Sequence, residues 1–156
     1  MTQLAQMLEM IGLPAEGLEA AADDASFRID DQIDLTIALT ADGQLLRLRA
    51  LIGHARDPAQ AALTQRIATA NYAGALTGGG ALGLNPVNGE MLLFKEIPVA
   101  LCEPVGLQSL VSRLVDAAIQ LKTDLAELAS TSTAQVAAAA PEPSVAFGRP
   151  THWLRG

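Results

Sequence analysis

Cysteine is nearly absent from this chain. Cys102 is the only one in 156 residues, so no disulfide can form within the chain. Aromatic residues are almost as scarce: Phe27, Phe94, Phe147, Tyr72 and Trp153 are too few for a base-stacking surface. Basic residues are short too, ten Lys and Arg against seventeen Asp and Glu, for a net charge of −7 and a pI near 4.6. Phosphate neutralisation needs clustered cations, so nucleic acid and anionic membrane surfaces are disfavoured as partners. No segment approaches the ~18 apolar residues of a membrane span. The opening MTQLAQMLEMIG has neither a basic region nor an unbroken apolar run, so it reads as no signal peptide, and a cytosolic protein is expected.

What is present is an aliphatic core pattern. Half of the residues are hydrophobic, many of them alanine or leucine. Leu4, Met7, Leu8 and Ile11 follow the i, i+3, i+4, i+7 spacing of an amphipathic helix over residues 2–12, which Gly12 and Pro14 stop. A further helical turn fits residues 16–22. Phe27 to Asp30 opens a sheet. Ile33, Leu35, Ile37 and Leu39 then alternate with polar or small residues as a half-buried strand, and Ala41-Asp42-Gly43 turns the chain into a return strand ending near Ile52. Three strands joined by tight turns form an antiparallel meander. Asp57 and Pro58 suit the N-cap and first position of a second helix, whose stripe is Leu63, Ile67, Ala70 and Gly74. After the glycines come strands at residues 81–85 and 90–97. A long helix over residues 105–128 carries Leu107, Leu110, Leu114, Leu121, Leu125 and Leu128 on one stripe.

The expected architecture is therefore α+β: helix, three-stranded antiparallel meander, helix, two strands and a long C-terminal helix. The domain spans residues 1–129. Residues 130–156 read as a flexible tail rich in Ala, Ser, Thr and Pro. The end of this tail differs from its start: Phe147 to Gly156 contains Arg149, Arg155 and Trp153 without an acid, a composition that can dock on the acidic body or bind a partner.

Little of the sequence supports catalysis. Gly78-Gly79-Gly80-Ala81-Leu82-Gly83 matches G-x-G-x-x-G, but a dinucleotide site needs a strand before the glycines and a helix after them. Here the order is reversed. His54, His152 and Cys102 have no zinc-ligand spacing, and Asp30, Asp31 and Asp34 lack the spacing of a calcium loop. No catalytic residue, cofactor site or metal site is expected. A surplus of apolar patterning on an acidic module points instead to protein partners.

Particular residues carry a family resemblance. Leu4 to Leu13 with Phe27-Arg28-Ile29-Asp30, the step Ala50-Leu51-Ile52-Gly53, and above all Ala70-Asn71, Gly78 to Asn85, Gly89, Leu92-Leu93 and Ile97-Pro98 stand in order over residues 3–128. In this the chain resembles the class I type III secretion chaperones, the Tir chaperone family, although Asn85 stands where the family often has Asp. The resemblance implies a homodimeric, ATP-independent chaperone of the bacterial cytoplasm. Such a protein binds the N-terminal segment of a secreted effector and keeps it extended and secretion-competent, with secretion-apparatus components as further partners. By the same resemblance Leu63, Ile67, Ala70, Leu82 and Leu84 are candidates for the dimer interface. Leu8, Ile11, Phe27, Ile29, Leu35 and Ile37 are candidates for effector contact, each of which could equally be core. A regulatory adaptor on the same fold is the alternative.

Overall fold

The computed structural model describes residues 2–15, 23–56, 61–74 and 76–138. Helix α1 spans Gln3–Met10, and the Thr2 hydroxyl caps it by accepting from the Ala5 amide at 3.2 Å. Strands β1 (Asp24–Ile29), β2 (Ile33–Leu39) and β3 (Leu45–His54) form the expected meander. Helix α2 (Ala61–Asn71) leads through a short 3₁₀ turn to β4 (Ala81–Leu84) and β5 (Glu90–Pro98), and α3 (Pro104–Ala138) follows. The expected turn of helix at residues 16–22 and the Asp57-Pro58 helix start lie outside the described residues.

All five strands are antiparallel, in the order β1-β2-β3-β5-β4. The β4–β5 hairpin thus returns its second strand to β3 and leaves β4 on the edge. Period-two alternation decides the two faces. Leu35, Ile37, Leu46, Leu48, Ala50, Leu82 and Leu93 point inward and are buried under α1 and α3, where Leu4, Leu8, Leu114 and Leu121 meet them. Each fully buried Leu or Ile contributes about 1.5–3 kcal/mol relative to exposure. The outer face is polar over β1 and β2 and mixed over β3 and β5. Its ion pairs, Arg28–Asp34 at 3.0 Å and Arg47–Glu96 at 2.6 Å, join residues directly opposite in register. Both are solvated, so each contributes less than about 1 kcal/mol.

Helix α3 runs past Leu128, its expected end, to Ala138. Residues 130–138 are therefore helix in this structure and not the start of a tail. Low complexity misleads here because Ala is the strongest helix former, and no helix breaker stands before Pro141. The Thr123 and Ser130 hydroxyls donate to the carbonyls of Ile119 and Ala126 four residues earlier, so the helix absorbs their competing hydrogen bonds. The rest of the expected tail, residues 139–156, lies outside the described residues.

Candidate functional site: a groove, a shelf and a strand edge

The end of α1 is fixed by a Schellman turn. The Gly12 amide bonds to the Glu9 carbonyl and the Leu13 amide to the Leu8 carbonyl, while Gly12 takes the left-handed conformation at φ +75°. This reversal sets Ile11 and Leu13 against the end of β1, where Ile29 stands half-buried. The third wall is α3. Gln108, Val111, Ser112, Val115 and Asp116 recur at helical spacing on the side turned to these residues. Together they enclose an open groove of ≈240 Å³ with an apolar floor and a carboxylate at the rim. Sequence reasoning placed Ile11 and Ile29 at a partner site, and the structure brings them together. It missed Val111 and Val115. Their signal was a pair of β-branched residues four apart beside the leucine stripe, which reads as more core when the stripe is considered alone.

The other residues proposed for effector contact sit elsewhere. Leu8, Leu35 and Ile37 are at most 1% exposed, within the core between the sheet and the helices. The inner sheet face is covered by the chain's own α1 and α3, so these three present no surface to a partner. Phe27 is half-buried and packs against the same core. The apolar surface that remains on the sheet is on its opposite face. There Phe94, 43% exposed, lies over Gly83 with Leu92 beside it, and with Arg47, Arg49 and Glu96 it lines a shallow shelf.

The glycine turn has a defined structural role. A Cβ on Gly78 would lie 2.5 Å from the Arg113 carbonyl oxygen of α3, and one on Gly80 would lie 2.8 Å from the Phe94 carbonyl oxygen of β5. Only bare backbone passes between these two elements. The amides of Thr77, Gly79 and Gly80 are all spent on carbonyls within the turn, and Lys95 donates to the Gly79 carbonyl. A phosphate cradle needs several free N–H groups pointing at the ligand, and here those of Thr77, Gly79 and Gly80 are occupied. Thr77, fully buried, donates its hydroxyl to the Gly80 carbonyl at 2.7 Å and closes the turn.

The turn delivers β4 to α2. The Asn71 side chain clamps Leu82 from the open side, accepting from its amide at 2.7 Å and donating to its carbonyl at 3.0 Å. Among the dimer candidates Leu63, Ala70 and Leu82 are buried in the chain's own core, whereas Ile67 and Leu84 are partly exposed. Tyr72 (81% exposed) and Leu76 (43%) adjoin them after the helix, and sequence reasoning passed over both. The Arg66–Asp124 ion pair ties α2 to α3 beneath this region.

Among the described residues no titratable cluster competes with these surfaces. Among the described residues no group of three His, Cys, Asp or Glu could hold a metal ion, and burial pushes the Cys102 thiol above its ordinary pKa, away from the reactive thiolate.

Comparison with known proteins fits this geometry. No curated protein sequence matches the chain. Three solved complexes resemble its fold: the ExsC–ExsE complex (23% identity, TM-score 0.57, 77% of this chain and 88% of the other), the HopA1–SchA chaperone–effector complex (17%, 0.59, 77% and 90%), and the ExoU–SpcU heterodimer from the type III secretion system of Pseudomonas aeruginosa (14%, 0.60, 77% and 95%). The model of the Tir chaperone protein (CesT) family matches residues 2–122, from the cap of α1 through the part of α3 that packs on the sheet, and the chain belongs to that family.

Proposed function

We propose that this protein is a type III secretion chaperone that binds the N-terminal segment of an effector and keeps it soluble and secretion-competent without ATP. The observation that carries this reading is the family match over residues 2–122, with an apolar groove and an apolar shelf left open on the packed body. The site chemistry supports binding over turnover, because it consists of aliphatic side chains with a few charges at the rim. Ile11, Ile29, Val111 and Val115 form one contact surface, and Leu92 and Phe94 form a second. An extended segment laid across both surfaces gains apolar burial while the acidic body keeps the pair soluble. The protein acts in the bacterial cytoplasm as a homodimer through α2 and the β4 edge, with Ile67, Tyr72, Leu76 and Leu84 as the contributing side chains. None of the described helices is long and apolar enough to cross a membrane.

The test is co-expression with a secreted effector encoded beside this gene. A stable complex formed with the effector's N-terminal segment, and lost when that segment is deleted, is the expected result. A complex that survives the deletion would assign the protein to a different kind of interaction. Light scattering should give a mass of twice 16.2 kDa for the free protein.

A further inference from the structure

On the outer face of the sheet one charge stands outside the pairing. The register sets Thr36, Arg49 and Phe94 in one row across β2, β3 and β5. The row on one side holds Ala38, Arg47 and Glu96, and the row on the other holds Asp34, Leu51 and Leu92. Glu96 and Asp34 are therefore the carboxylates diagonal to Arg49, and diagonal neighbours on a sheet face are within reach of a long side chain. Both are taken, Glu96 by Arg47 and Asp34 by Arg28. Arg49 makes no ion pair and no side-chain hydrogen bond among the described residues, and it is exposed where it lines the shelf with Phe94.

We propose that Arg49 is a specificity determinant: it selects, in the segment that crosses the shelf, a carboxylate two residues from an apolar side chain that covers Leu51 and Leu92. The occupant is the extended effector segment of the functional reading above, and the inference rests on that reading. Spacing supports it first. Successive rows along β3 lie roughly 6.6 Å apart at ~3.3 Å per residue, and alternate side chains of an extended segment running along the strand repeat at the same interval. A carboxylate over Arg49 thus sets its apolar neighbour over Leu51 and Leu92, which are both half-buried and directly opposite each other. Charge supports it second. With ion-paired charges cancelled on both open surfaces, the shelf retains the Arg49 guanidinium and the Lys95 ammonium, which donates to the Gly79 carbonyl without losing its charge. The groove, counted in the same way, retains the Asp116 carboxylate and repels an acid. The net charge of −7 does not override this. Screening over ~8 Å at physiological salt leaves the nearest groups in control, and an arginine–carboxylate contact is strengthened by the apolar cover beside it.

Short random peptides displayed on phage and panned against the full-length protein serve as the probe. Selected peptides should carry an acid two positions from an aliphatic or aromatic residue. In fluorescence anisotropy, replacing that acid by its amide should weaken binding about three- to tenfold. Arg49→Glu should weaken the acidic peptide at least roughly tenfold, since like charges then meet. The same variant should bind a version with lysine in place of the acid as tightly as the wild type binds the acidic one, a reversal that misfolding cannot produce. Ser112→Arg, on the groove, should leave the titration unchanged. Peptides without the acid at that spacing, acidic peptides that bind Arg49→Glu as well as wild type, or binding lost in Ser112→Arg would each overturn the proposal. So would a panning that yields no binder. None of these results decides the chaperone reading: an effector complex that forms on co-expression while the peptides fail here sinks the charge rule alone.

Discussion

At the scale of single residues, two positions translate sequence into geometry with little freedom. Gly78 is left-handed at φ +59°, and its missing side chain is where the Arg113 carbonyl sits. Gly78→Ala therefore incurs both backbone strain and a clash with backbone that cannot rotate away. We expect a loss of about 2 kcal/mol or more in urea denaturation, and an unchanged midpoint would contradict the close approach. Asn71 is the second. Its two hydrogen bonds to Leu82 do the work of a neighbouring strand, and net values of about 0.5–1.5 kcal/mol each put Asn71→Ala at roughly 1–2 kcal/mol. Amide exchange at Leu82 should accelerate in that variant beyond the global loss of stability. The sequence flagged Asn71 only by resemblance, since nothing in its local pattern says that an amide at the end of a helix will cap an edge strand eleven residues later.

At the scale of elements, alternation and helical spacing made the strands and helices readable because each buries one face. The same patterns could not say what covers that face. Leu35 and Ile37 alternate as cleanly as any partner-binding strand, and only the packing of α1 and α3 on the inner sheet surface assigns them to the core. The β4 edge is short, and Asn71 has already consumed the outward hydrogen-bonding groups of Leu82. A partner therefore gains little by extending the sheet there and has to meet side chains instead. Leu84→Asp places a charge on the proposed dimer contact. It should weaken the dimer at least tenfold while leaving the monomer folded, since Leu84 is only partly buried in the chain itself. Sedimentation equilibrium showing wild-type association would place the interface elsewhere.

At the scale of the whole molecule, the sequence by itself determined the class and its chemistry. Scarce cations, one cysteine and few aromatics ruled against nucleic-acid and disulfide roles, and periodicity set the order of helices and strands. These properties are additive along the chain, so composition and local spacing contain them. The tertiary structure alone decided which apolar residues remain available. Closing the sheet under two helices buried Leu8, Leu35 and Ile37 and left Ile29 and Val111 partly exposed in an open groove, whose walls also include Ile11 and Val115, both buried. It also converted a phosphate-like glycine motif into a spacer between α3 and β5, with the Gly79 and Gly80 amides spent internally. Accessibility depends on contacts between residues distant in sequence, up to the ninety positions separating Gln32 from Lys122, and no local pattern encodes such contacts.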